Sequence, residues 1–232
     1  SGLVTTADTE SELASVIAHE ISHVTQRHLA RRLESQSQTQ TLSMAAMLSS
    51  VLITLVNPTV GMAALSASMA ASQQASINYP RGNEKEADRV GIALLASSDF
   101  DPQGAASFFS KMSAKYRYSS KPPAMLLTHP VPESRITDAR QRALNYPVRP
   151  LPPSLDFELT KARLKSRYQG NAKSNISYFK LQLSKKRYAI KAAAQYGLAL
   201  SYFENKQTAD ALQILENLKQ NDENNLFYVD AL

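Results

Sequence analysis

No charged side chain occurs between residues 35 and 80. A stretch this long and this uncharged needs neighbouring elements, or a membrane, to take its apolar groups out of water. Two apolar segments, around residues 44–56 and 60–71, flank Asn57-Pro58. Each is shorter than the ~20 residues that cross a bilayer as a helix, which argues against a transmembrane hairpin. The expected structure is a helical hairpin, buried against the body or lying over the functional cleft as a lid. A monotopic contact with a membrane is the lesser alternative.

The rest of the chain also reads as helix. Thr9 and Glu12 fit a capping box, and acids crowd the first turn that follows. Leu13, Val16, Ile17, Ile21 and Val24 recur at helical spacing. Together they predict one helix over roughly residues 10–34. Further helices are expected at about 83–97, after an Asp101-Pro102 cap, and from Pro132 to about Leu144. Pro122-Pro123 marks a loop. Little reads as strand apart from Leu3-Val4-Thr5-Thr6.

Pro147, Pro150, Pro152 and Pro153 make residues 147–155 a stiff linker. It divides the chain into a first domain over 1–146 and a helical second domain over 156–232. In the second, Leu198-Ala199 with Tyr202, then Ala211 and Leu215, follow the spacing of a tetratricopeptide repeat. Leu232 falls one 34-residue period after Leu198. Lys206 stands where such repeats usually carry glycine, and Glu223 where they carry proline. The chain stops inside the next repeat and begins at Ser1 without Met, which reads as part of a longer or processed protein.

Absence of Cys excludes disulfides and thiolate metal sites, so any metal must be held by His and carboxylates. Net charge is +6, and ten basic residues with no acid lie between Lys161 and Lys191. A solvated helical face accounts for that run. A docking surface for an acidic partner or lipid headgroups is the minority reading, and no nucleic-acid motif accompanies it.

His19-Glu20-Ile21-Ser22-His23 places two histidines four apart on a helix, so both rings face one point. Glu20 lies one step round, able to reach a water there without filling the same place. A catalytic zinc needs a third protein ligand and an open position. Glu84, on another predicted helix, supplies a carboxylate, and Asp88, four residues on, is placed to accept from a ligand histidine. One Zn²⁺ per chain, on His19, His23 and Glu84, is the expectation. Two unrelated surface histidines and a charged helix start are the bland alternative, which the pairing of the two motifs disfavours.

Val16-Ile17-Ala18-His19-Glu20-Ile21-Ser22-His23 with Asn83-Glu84-Lys85-Glu86-Ala87-Asp88-Arg89 resembles the minigluzincin peptidases of the CAAX-prenyl-protease and HtpX type. Thr128-His129-Pro130 and Pro132-Glu133-Ser134-Arg135-Ile136, followed by linker and repeats, resemble one branch of that family. The resemblance implies a mainly α fold, with a small sheet and most of the repeats lying outside this chain. It also implies the periplasm of a Gram-negative bacterium and a role in quality control of outer-membrane β-barrel proteins. Implied partners are the lipopolysaccharide-transport barrel and the barrel assembly machinery.

Glu20 is then the general base and later the acid of peptide hydrolysis. The developing oxyanion needs a donor besides zinc. His129 is one candidate and Arg135 a weaker one. Alternatively, the His129 imidazole is a fourth zinc ligand that closes the resting site, and the close resemblance favours this role. His28 reads as structural. The leading function is a zinc endopeptidase acting on unfolded or stalled proteins. The runner-up is a chaperone module whose zinc site is mainly latent.

Overall fold

A computed structural model describes residues 2–118, 120, 126 and 128–232, those at 75–79 by backbone only. The fold is mainly α, with no strand among the described residues. The helices are α1 (Gly2–Thr6), α2 (Glu10–Thr25), α3 (His28–Val56), α4 (Pro58–Ser97), α5 (Gln103–Tyr116) and α6 (Glu133–Ala143). They continue with α7 (Leu155–Tyr168), α8 (Ala172–Ser184), α9 (Lys191–Glu204), α10 (Thr208–Asn221) and α11 (Leu226–Ala231). The loop expected at Pro122-Pro123 lies outside the described residues.

Contacts divide the chain into two compact units, residues 14–149 and residues 1–13 with 150–232. Residues 1–13 therefore group with the later unit, not with the first domain that the linear division at 146 expects. Leu3-Val4-Thr5-Thr6 is helix α1 and not a strand. A short apolar run is ambiguous between the two, and an unpaired strand would leave its backbone groups without partners. Thr5 instead accepts a hydrogen bond at 2.6 Å from the Gln169 side chain, just beyond the end of α7.

In the later unit, Leu159, Phe179, Tyr196, Leu200, Leu215 and Tyr228 form a continuous core across α7–α11. At Gly197 a Cβ would stand 2.3 Å from the Phe179 ring, so glycine lets α8 and α9 close on each other. Lys206, between α9 and α10, has φ 62°. The glycine position of the repeat pattern is thus left-handed here despite its side chain.

In the unit 14–149, Val16, Ala87, Ile92, Leu95, Phe108, Met112 and Ile136 are buried. Asp101 caps α5 by accepting from the Gln103 N–H at 3.0 Å. The single helix expected over 10–34 is two helices, because Arg27 adopts a left-handed φ of 54° between α2 and α3. The helix expected at 83–97 is the end of α4, whose 40 residues run on through Pro80.

Residues 35–80 form the expected hairpin, turning at Asn57, whose side chain caps α4 by accepting from the Val60 N–H. Most of their described side chains are not buried. Leu52, Leu55 and Val56 are 65%, 79% and 89% exposed. Among the described residues, the packing partner of α3 to any extent is α4. Only the base of the hairpin, at Leu29, Ala30 and Pro80, lines the cleft described below. By length and composition α3 as a whole is sufficient to cross a membrane, although its apolar end, from Leu42 to Val56, is shorter than a bilayer core.

Candidate metal centre

The cleft encloses about 640 Å³ beside Glu20, His23, Glu84 and His129. Three segments converge there. Helix α2 brings His19 and His23, α4 brings Glu84, and the segment before α6 brings His129. Gly91 explains how closely α4 approaches α2. A Cβ at Gly91 would lie 3.1–3.2 Å from the backbone of His19. Glu84, Asp88 and Gly91 recur at i, i+4 and i+7, so one face of α4 carries both carboxylates and the contact.

One ligand atom from each of His19, His23, Glu84 and His129 lies within 4.8 Å of all the others. His19 Nε2 stands 3.0 Å from His23 Nε2 and 3.4 Å from His129 Nδ1. Glu84 Oε1 stands 2.9 Å from His129 Nδ1 and 3.3 Å from His23 Nε2. Donors about 2.0–2.1 Å from a tetrahedral ion are about 3.3 Å apart. The spacing therefore fits one small cation among the four.

Partners around the rings fix the direction of their lone pairs. His19 Nδ1 contacts Asp88 Oδ1 at 2.9 Å, off the hydrogen-bond axis. This favours the proton on Nδ1 and leaves Nε2 facing the centre. His28 Nε2 donates to Glu86 Oε2 at 3.2 Å, and its Nδ1 accepts from His23 Nδ1 at 2.9 Å. His23 Nε2 is then also a free acceptor toward the centre. Burial lowers the His28 pKa, with the Glu86 carboxylate opposing it. Arg31 holds the far end of the relay by donating to Glu86 at 2.9 Å.

His28 is buried, as the structural reading expects, and its contacts reach His23 and Glu86. In an uninterrupted helix, residues five apart do not face each other. The left-handed Arg27 turns His28 back onto His23. Glu86, which the sequence offered only as part of a charged helix start, is its partner. His28→Ala is expected to weaken cation binding by roughly 10–100-fold, measured by competition with a chelator. Unchanged affinity would leave the relay without a role in holding the site.

Arg135 is buried beneath the carboxylates. Its Nε and Nη2 donate to the two oxygens of Asp88 at 2.7 and 2.8 Å. Its Nη1 donates to Glu84 Oε2 at 2.8 Å and to the Pro130 carbonyl at 2.6 Å. These contacts fit Arg135 as a residue behind the ligands, the other place read for it in the sequence beside that of a weaker oxyanion candidate. It positions Glu84, Asp88 and the segment carrying His129. The ring of Phe109 lies 5.0 Å from it.

Burial alone would raise the Glu84 and Asp88 pKa values, yet both are lowered. His129, His19, His23 and Arg135 outweigh burial at Glu84, and His19 and Arg135 do so at Asp88. At His19, burial opposes a charge, but Asp88 and Glu84 outweigh it and push the pKa up to about 9. A cation entering here displaces that proton. Glu20 stands apart from the cluster, half exposed, its Oε1 3.7 Å from His129 Nε2.

Comparison with known proteins gives the family of the chain. A Vibrio cholerae protein named, provisionally, beta-barrel assembly-enhancing protease is 48% identical over 160 residues, covering 68% of this chain and 33% of its own length. The beta-barrel assembly-enhancing protease of Yersinia pestis is 43% identical over 160 residues, 69% of this chain and 33% of its own. That of Escherichia coli K12 is 43% identical over 158 residues, 68% and 32% respectively. The chain thus spans about a third of the length of these relatives. Residues 1–143 match the profile of peptidase family M48. Since that match takes in the paired helices and the histidine after them, the chain belongs to peptidase family M48, a family of metalloproteases.

Proposed function

We propose that the chain carries the catalytic part of a zinc-dependent endopeptidase, with His19, His23 and Glu84 as the zinc ligands. The observation that carries this reading is the convergence of three ring nitrogens and one carboxylate oxygen within 4.8 Å. Imidazole and carboxylate donors in tetrahedral spacing suit zinc. Zinc, when bound, lowers the pKa of water toward ~7 and polarises a scissile carbonyl. Glu20, at the open side of the cluster, takes the proton from the attacking water and hands it to the leaving amine. Asp88 and Arg135 hold His19 and Glu84 in place. Helices α7–α11 are the start of a tetratricopeptide repeat domain that holds clients. The names of the relatives mention β-barrel assembly, which supports β-barrel proteins as the clients. The periplasm, and unfolded or stalled outer-membrane barrels in particular, come from the resemblance. Within that reading, the lipopolysaccharide-transport barrel and the barrel assembly machinery are partners.

Zinc content decides the core of this reading. One zinc per chain is expected by mass spectrometry of protein purified without added metal. Glu84→Ala should lose most of it, and Asp88→Ala should bind it roughly 10–100-fold more weakly. Full occupancy in Glu84→Ala would overturn the ligand set.

A second feature favours latency. His129 Nδ1 sits among the other three donors, where it would complete a closed tetrahedral set and exclude water. The resting enzyme is then held shut, and clients are bound by the repeats before any are cut. His129→Ala is expected to raise cleavage of an unfolded protein such as casein while zinc stays bound. A slower variant would return His129 to the role of oxyanion donor.

A further inference from the structure

The exposed end of the α3–α4 hairpin has the properties of a surface that works in lipid. Its apolar side chains are not confined to one face. Val51, Leu52, Ile53, Leu55 and Val56 are all exposed, and successive residues step about 100° round a helix. A protein groove covers one face of a helix, whereas hydrocarbon surrounds it. On α4, Val60, Met62 and Met69 continue the same surface.

Seven hydroxyls of the hairpin are satisfied internally, as lipid requires. The hydroxyls of Ser49, Ser50, Thr54, Ser66 and Ser68 donate to the carbonyls of Ala45, Ala46, Ser50, Met62 and Ala64 at 2.7–2.9 Å. Ser43 and Ser72 bond across the pair at 3.1 Å. The two helices meet tightly, since a Cβ at Gly61 would lie 2.4 Å from Thr54 Cα. Small residues at such a crossing are what holds helices together where hydrophobic burial offers nothing.

Charge appears only at the other end. Arg27, Arg32, Arg81 and Lys85 are exposed at the base, and Glu34 is the one exposed acid among residues 27–85. This cationic collar complements anionic lipid headgroups. From the collar to the tip, the helices pass through Ser, Gln and Thr residues before turning apolar at Leu42.

We infer that the hairpin tip inserts into one leaflet of a phospholipid bilayer. The apolar end from Leu42 to the turn at Asn57 is about 22 Å long at 1.5 Å per residue. That exceeds the ~15 Å depth of one leaflet's hydrocarbon but falls short of the ~30 Å of the whole core. The chain turns back before it crosses. His28 and Glu84 lie at the base of the same two helices, about 20 Å of helix from the apolar end. Insertion therefore keeps the cluster of His19, His23, Glu84 and His129 close above a membrane surface.

Vesicle flotation tests this with the full chain and liposomes of phosphatidylethanolamine and phosphatidylglycerol at 3:1. The chain is expected to float with the vesicles. Leu52→Asp with Leu55→Asp, two exposed positions outside the cluster, should reduce the bound fraction at least about 100-fold while leaving the circular dichroism spectrum unchanged. The sequence lacks Trp, so Leu52→Trp provides a depth reporter whose emission shifts blue and is quenched by lipids brominated on the acyl chain. Protein that stays in the dense fraction, or an Asp pair that floats as well as the parent, overturns the inference. A reversible dimer that the Asp pair abolishes, without flotation, also overturns it and assigns the surface to a second copy.

Discussion

Glu20→Gln is expected to leave the zinc content and the thermal transition unchanged and to reduce peptide-bond cleavage by roughly 10²–10⁴-fold. The two side chains have nearly the same shape, and Glu20 is half exposed and outside the cluster of four donors. The substitution therefore removes a proton acceptor and little else. The clearest background is His129→Ala, in which the site is expected to be open. There the added Gln should return cleavage to the limit of detection. Turnover at the parent rate in the double variant would remove Glu20 from the chemistry. Normal assembly of a β-barrel client by Glu20→Gln, with cleavage absent, would shift weight to the chaperone role.

Arg135→Ala is expected to cost roughly 3–5 kcal/mol, because it leaves the buried Glu84 and Asp88 carboxylates without their cation. For a protein of this size that corresponds to a fall in Tm of roughly 10 °C. The loss should be largest without metal. Zinc binds only the folded site, so added zinc should recover part of the stability. Arg135→Lys should recover little, since a single ammonium cannot span both oxygens of Asp88, Glu84 Oε2 and the Pro130 carbonyl at once. Calorimetry of metal-free and zinc-loaded protein separates these outcomes. A metal-free Arg135→Ala with an unchanged Tm would show that the carboxylates are stabilised by other groups.

The pairs His19 with His23 and Glu84 with Asp88 were each legible because helical geometry is local, whereas joining the two pairs rested on the need for a third ligand and on the resemblance. Residues four apart share a face whatever the rest of the chain does. The same holds for the helical character of nearly every segment and for the Asp101 cap of α5. His129 was named from resemblance alone, since nothing in its own neighbourhood distinguishes a ligand from a turn histidine. Its place among the other donors depends on Arg135, which holds the Pro130 carbonyl.

Other features were decided only in three dimensions. The left-handed Arg27 splits one periodic helix in two and turns His28 onto His23. A preference that small is set by what the two helices then pack against, not by local propensity. Gly91 looked unremarkable in sequence, yet its missing Cβ is what allows α4 to approach His19. The uncharged run from 35 to 80 shows the same division. Its composition determined two helices and a turn at Asn57-Pro58. Whether those helices are covered depends on which elements lie beside them, and among the described residues the main neighbour of α3 is α4. Periodicity records which residues prefer to leave water, whereas the surface that receives them is a property of the assembled fold.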